Sequence, residues 1–185
     1  MFVKTSSRSP KDSPLSSTKF KHLYATFLSE SNPSARNSEN EQIFCLLRAA
    51  FQSLRVSSGS EAIDMCLKSE RIYQDMLLAL TMSHRFRENF VIRQFRHIDV
   101  DMEFRAFVFG GRLTAVCQYN HLIHSERLCK EKDSIVQLIS AYFDNEVSKR
   151  LTDAGFLANY VIDFAVFSSK IWQYNLLLHC QKKCL

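Results

Sequence analysis

Two adjacent glycines, Gly110 and Gly111, separate the runs DMEFRAFVF and RLTAVCQY. Both runs are aromatic or β-branched, which is strand chemistry, and a two-glycine turn between strands closes an antiparallel hairpin. This hairpin constrains the chain more than any other feature, because it decides which residues share a face. Side chains alternate across a strand. Met102, Phe104, Ala106 and Val108 therefore form one face of DMEFRAFVF, a plain hydrophobic layer. The opposite face carries Asp101, Glu103, Arg105, Phe107 and Phe109. Charges beside phenylalanines predict one of two things: a lined cleft, or an edge strand whose wet side holds a local Glu–Arg pair.

The run NYVIDFAVF, residues 159–167, reads as the last clear strand. Asn159, Val161, Asp163, Ala165 and Phe167 share one face, with Asp163 the sole charge in the run. A lone carboxylate in an apolar strand is costly unless a cation or hydrogen-bond donors meet it. A magnesium ion, which takes oxygen ligands and bridges to phosphates, is one partner. A buried Asp–Arg pair is the other, with Arg105 as the candidate. Lys4 poses a similar question in FVKT, a short strand at residues 2–5. It is followed by Ser6, Ser7, Arg8 and Ser9. A strand lysine backed by a Ser-rich loop and an arginine can hold phosphate through charge, hydroxyls and backbone donors. With four glycines in the chain, neither GxxxxGK[ST] nor GxGxxG is present, so P-loop and Rossmann sites are excluded.

Helical spacing fills the intervening sequence. Asp12 is placed to cap a helix starting near Pro14, and residues 29–40 read as a polar surface loop. Residues 41–54 repeat Ile43, Phe44, Leu47, Ala50, Phe51 and Leu54 at three- and four-residue spacing, an amphipathic helix. Ser60 is expected to cap a helix through Ala62, Ile63, Cys66 and Leu67. Ser69 is expected to cap another, with Ile72, Tyr73, Met76, Leu77 and Leu80 facing inward. FVIRQF reads as a strand, residues 128–147 as a helix, and KIWQY as a further strand after Ser168-Ser169. Helices grouped before and between antiparallel strands make an α+β domain.

The 185 residues, with 46% hydrophobic and 23% charged content, are those of a soluble globular chain able to bury a core. The net charge of +5 suits an anionic ligand such as a nucleotide. It is too dispersed for a nucleic-acid surface. The arginines and aromatics of SHRFRENFVIRQFRH fit a strand and a solvated turn better than an RNA platform. Six cysteines without a CxxC pair read as reduced thiols, hence a cytoplasmic protein. His121, His124 and Cys129 lack the fourth ligand and regular spacing of a zinc site. No apolar core follows Met1, and no run approaches the ~18 residues of a membrane span.

Four segments in order, VKTSSRSPKDS, SGSEAIDMCLKSERIYQDM, FVIRQFRHIDVDMEFRAFVFGGRLTAVCQYN and YVIDFAVF, resemble the cell division cycle protein 123 family. The resemblance covers most of the chain from Val3 to Trp172. It implies an ATP-grasp-like fold with a largely antiparallel sheet flanked by helices. By that resemblance residues 1–172 form a partial nucleotide-binding domain without the family's preceding lobe, and 173–185 a divergent tail. Lys4 would contact the nucleotide phosphates, with Arg8, Ser9 and Pro10 in the loop over them. Arg93, Gln94, Phe95 and Arg96 would line the adenine and ribose. Glu103 and Arg105 would stand near ribose and phosphates, flanked by Gln118 and Asn120. Asp163 would be a magnesium ligand. The family's last strand brings a second carboxylate and an Asn, whereas here KIW precedes QYNLLLHCQKKCL, where only Asn175 can supply an oxygen. The implied activity is ATP and Mg²⁺ binding in an assembly factor for eukaryotic translation initiation factor 2, acting on its gamma subunit. The alternatives are an ATP-dependent carboxylate–amine ligase and a non-catalytic scaffold.

Overall fold

FVKT forms the strand expected of it, β1 (Phe2–Thr5), with Phe2, Val3 and Thr5 buried and Lys4 half-buried. The computed structural model describes residues 1–82, 88–153 and 158–167, and the chain divides into two units, Met1–His97 and Ile98–Leu185. KIWQY, Asn175 and the tail at 173–185 lie outside the described residues.

Among the described residues of the first unit four α-helices follow β1. A short 3-10 turn at Ser13–Ser16 leads into α1 (Thr18–Glu30). Then come α2 (Glu39–Ser53), α3 (Gly59–Leu67) and α4 (Glu70–Thr81). Each helix is capped by a serine whose hydroxyl accepts from a backbone N–H three residues on. The caps are Ser17, Ser38, Ser58 and Ser69, each worth ~1 kcal/mol. The cap of α3 is therefore Ser58 and not Ser60. The shift has a cause: the Glu61 carboxylate reaches back to the N–H and hydroxyl of Ser57 while Ser58 accepts from the Glu61 N–H. That reciprocal arrangement needs Glu61 at the third helical position.

Asp12 departs from expectation too. It makes no side-chain cap at Pro14 and instead accepts from the Ser69 hydroxyl at 2.6 Å and the Arg71 N–H at 3.2 Å. This ties the loop after β1 to the start of α4. The face that α4 buries also differs from the expected one: Ile72 and Ala79 are buried with Asp75 and Met76 half-buried beside them, while Tyr73, Leu77 and Leu80 are exposed. On α2, the small residues Cys45 and Ala49 are more deeply buried than the larger ones around them, and they pack with Phe27 of α1. Strand β2 (Phe90–Arg93) pairs antiparallel with β1, Lys4 opposite Val91 and Phe2 opposite Arg93. It ends sooner than FVIRQF predicts, because β1 offers four residues to pair with. Phe95 turns its ring onto Phe51, 5.6 Å between centroids, and joins the core of Phe2, Val3, Leu54, Val56, Ala62 and Met65.

In the second unit β3 (Glu103–Phe109) lies between β4 (Arg112–Gln118) and β5 (Tyr160–Ala165), both antiparallel to it. β3 is thus the central strand, which removes the edge-strand reading of DMEFRAFVF. The glycine turn forms as expected, with φ of 57° at Gly110 and 73° at Gly111, values that only glycine adopts without cost in a tight hairpin. Met102, Phe104, Ala106 and Val108 are all buried, as the alternation requires. They pack with Ile162 and Phe164 of β5 and with Ile135 and Ile139 of α5 (Glu126–Tyr142). That helix continues through a π turn, Phe143–Val147, into α6 (Ser148–Asp153). Phe143 and Val147 are buried at either end of the turn.

The hairpin contains one irregularity. Phe107 faces Ala115 but Val108 faces Leu113, so Thr114 is an extra residue on β4. Its hydroxyl donates to the Phe107 carbonyl at 3.0 Å. Such a bulge breaks the period of two. Leu113 and Val116, three residues apart, consequently both pack against the same core.

Two outcomes test this architecture. Phe164→Ala should lower the unfolding free energy by about 3–5 kcal/mol, the usual effect of emptying a buried aromatic site; a loss below about 1 kcal/mol in urea unfolding would contradict the central packing. Glu61, held down to about 2 by the Ser57 N–H and then by Lys19, gives an acid limb. Its folded value lies below the ordinary 4.5, so its contribution is complete above pH 4.5 and is lost as pH falls through about 2. Glu61→Gln should flatten stability against pH across that window, and an unchanged limb would dismiss the capping role.

Candidate functional site

In the first unit the side chains of interest converge where β1 turns. Thr5 tightens that turn: its N–H and hydroxyl both donate to the Arg8 carbonyl, at 2.9 and 3.0 Å, and its oxygen accepts from the Arg8 N–H. The turn leaves two donors directed outward, the Ser6 hydroxyl and the Ser7 N–H. Both meet the Glu88 carboxylate, at 2.7 and 3.2 Å. Ser6 is pinned further by backbone and side-chain bonds to Asn89.

Around this turn positive charge accumulates. Lys4 is pushed below its ordinary lysine value by burial first and then by the charge of Arg93, with Lys11 adding to the effect and Glu88 opposing it. Arg93 lays its guanidinium 4.6 Å from the centre of the Phe2 ring, a cation–π contact. The Arg8 Nε stands 3.0 Å from Asp75 Oδ2 on α4. That is an ion pair out of line for a hydrogen bond, and this buried oxygen accepts no hydrogen bond. Ser9 and Pro10 are buried, so the accessible donors of the loop come from Ser6, the half-buried Ser7 and the Arg8 side chain. Gln94 and Arg96 are exposed beyond the end of β2, and Phe95 is committed to the core.

In the second unit the face of β3 opposite the core carries one dominant feature. Arg105 donates from Nε to Asp163 Oδ1 at 2.8 Å and from a terminal nitrogen to Oδ2 at 3.0 Å. The two residues are directly opposed on β3 and β5, so the fork meets the carboxylate squarely. The aspartate thus lies with a cation of this chain, the Asp–Arg alternative raised by the sequence. The pairing with Asp163 drives the Arg105 guanidinium further above its ordinary value. The Tyr119 ring sits 4.7 Å from that guanidinium. Glu103, buried two residues earlier, accepts the Tyr119 N–H at its backbone carbonyl. Farther along the same face Phe107 and Phe109 are exposed.

Gln118 and Asn120 have structural duties. The Gln118 amide donates to the carbonyls of Asn120 and Ile123, and the Asn120 amide to that of Val100. Asp101 sits ahead of the strand and is bound by Arg127 and the Ser125 hydroxyl. Burial alone would raise its carboxyl, but those hydrogen bonds outweigh burial and hold it below the ordinary value.

Among the described residues no three His, Cys, Asp or Glu side chains converge as a metal site. Cys129 Sγ and His124 Nε2 are 3.7 Å apart, a contact of two residues. Magnesium commonly takes one or two carboxylates and fills its remaining positions with phosphate and water. Asp163, the carboxylate that the sequence offers to magnesium, has both oxygens held by Arg105. Also among the described residues, no helix is long and apolar enough to cross a membrane. Sequence reasoning missed Glu88, Asp75 and Tyr119. Tyr119 was readable as the aromatic after Gln118, whereas Glu88 and Asp75 reach the turn only through the fold.

The family model described as D123 matches residues 25–176. Arg93, Glu103, Arg105 and Asp163 fall within the match, and Lys4 with its loop precedes it. The structure of Cdc123 from Schizosaccharomyces pombe superposes with a TM-score of 0.58 at 20% identity, covering 94% of this chain and 58% of that one. The structure of C-terminally truncated Cdc123 from the same organism gives 0.52 at 18%, covering 94% and 77%. The chain therefore spans 58% of the length of the first of these. No curated protein matches it in sequence. The α+β arrangement of antiparallel sheets and helices is that of the Cdc123 structures.

Asp163→Asn should destabilise the protein by about 2 kcal/mol, less than the ~3–5 kcal/mol of a fully buried pair, because 37% of the Arg105 side chain is exposed. Equal urea midpoints for the two proteins would show that the pair contributes nothing to stability.

Proposed function

The chain belongs to the D123 family, and from that premise we propose that it binds ATP with Mg²⁺ in the manner of an ATP-grasp protein. The observation that carries the proposal is the turn after β1. A half-buried Lys4 whose charge is disfavoured by burial and by Arg93 adjoins a loop whose hydroxyl and N–H already hold a carboxylate. Those are the donor types and the charge that phosphate requires. Lys4, Arg8 and the Ser6–Ser7 donors would neutralise and orient the phosphates. Arg93, Gln94 and Arg96 would follow the adenine and ribose, with Phe95 contributing backbone while its ring anchors the segment in the core. Glu103 and Arg105 would address ribose and phosphate, with Gln118 and Asn120 keeping the adjoining loop in place. Asp163 would supply a carboxylate oxygen to the magnesium. The metal's own contribution is to neutralise phosphate charge.

In this reading the nucleotide is a structural ligand, and turnover is not required. The partner is the gamma subunit of eukaryotic translation initiation factor 2, which the chain would help to assemble in the cytoplasm. The family resemblance supports this partner. A second reading, a scaffold that keeps the fold without nucleotide, draws on one observation: Arg105 engages both Asp163 oxygens.

Calorimetric titration with Mg-ATP separates the two. Nucleotide binding predicts a saturable heat, a loss of about tenfold in affinity for Lys4→Ala, and loss of the magnesium-dependent increment for Asp163→Asn. A chain folded by circular dichroism that gives no heat would leave the scaffold reading standing.

A further inference from the structure

We propose that Glu88 is a built-in competitor for oligophosphate, its carboxylate occupying the Ser6–Ser7 donors until a nucleotide's phosphates displace it. The inference rests on the nucleotide-binding reading and adds a regulating group to the same turn.

Three observations lead there. First, the contact has the chemistry of anion recognition. One carboxylate oxygen, Glu88 Oε2, accepts from the Ser6 hydroxyl at 2.7 Å and the Ser7 N–H at 3.2 Å. A hydroxyl beside a backbone N–H in a tight turn is a donor pair that a phosphate oxygen uses equally well. Second, the turn's shape does not depend on Glu88. Thr5 and Arg8 close it through their own hydrogen bonds, so the donors stay directed outward when the carboxylate leaves. Third, the neighbourhood is cationic: Arg93 and Lys11 both act against the charge of Lys4, and Glu88 is the acidic group that supports it. An incoming polyanion would take over that supporting role.

Glu88 is only half-buried, and its bond to Ser6 is at the surface. Its departure therefore uncovers little apolar area, and water can receive the carboxylate. Affinity for phosphate is then reduced by the fraction of molecules in which Glu88 holds the donors. Loss of the carboxylate should restore that fraction.

The test titrates Mg-ATP and inorganic tripolyphosphate separately into wild type, Glu88→Gln and Glu88→Asp, each shown to be folded by circular dichroism. Glu88→Gln should bind both titrants at least about fivefold tighter than wild type. Glu88→Asp keeps the charge but is shorter by one methylene, which draws the shared oxygen back from the two donors. It should therefore gain about twofold or more. A gain in Glu88→Gln alone would mean simple removal of a nearby negative charge and would overturn the proposal. Equal affinities in all three proteins would overturn it too, while leaving nucleotide binding intact. Expected behaviour with tripolyphosphate but no response to ATP would sustain the competitor and remove the nucleotide reading. No binding of either titrant by any of the three would remove both. Should Glu88→Gln fail to fold, Glu88→Asp decides by itself, since a shorter side chain of unchanged charge gains only if the contact is being displaced.

Discussion

The Arg105–Asp163 pair organises the second unit. A carboxylate in the middle of an otherwise apolar strand would be intolerable alone. Its partner lies directly across the ladder, in the one geometry that lets a guanidinium satisfy both oxygens at once. A slip of one residue between β3 and β5 would turn the carboxylate from its cation and the hydrophobic set from the core. The pair and the core thus enforce the same register from opposite faces. Tyr119 adds a third element by laying its ring beside the guanidinium, which restricts the directions in which the arginine can move.

The first unit solves the converse problem. Its turn gathers cations, and the balancing acids come from distant points in the chain, Asp75 on α4 and Glu88 just ahead of β2. Asp12 contributes by fastening the loop to the start of α4. Folding therefore sets the charge of the turn. The two ends of a stretch of about eighty residues must be in place before the loop has its final electrostatic character.

The parts legible in the sequence were those governed by local rules. Gly110-Gly111 announced the hairpin, and strict alternation placed Met102, Phe104, Ala106 and Val108 in the core. The opposing charges of Asp163 and Arg105 make them candidates for each other in the sequence, with magnesium as the other partner. The rest failed where a nonlocal partner decides. Ser60 is as good a cap as Ser58 until Glu61 reaches back to Ser57. On α4 the spacing points Tyr73, Leu77 and Leu80 inward, whereas the buried residues are Ile72 and Ala79, and Asp12 and Arg8 from far earlier in the chain contact the helix. The end of β2 depends on the length of β1. Glu88 carries no signal of its own: an acid before a strand looks like solvated surface until the turn that receives it is built.

The bulge at Thr114 has an effect on how this hairpin can vary among related chains. Leu113 and Val116 reach the same core only because one residue between them is left over. Between the bulge and the glycine turn, the hairpin can lengthen in steps of two and keep its inner residues inside. Deleting Thr114 itself would restore regular pleating with Leu113 still opposite Val108, whereas losing a residue between the bulge and the turn would direct Leu113 to the face that holds Arg105 and Asp163. Drift in hairpin length should be quantised, with Thr114 as the spacer that sets its phase.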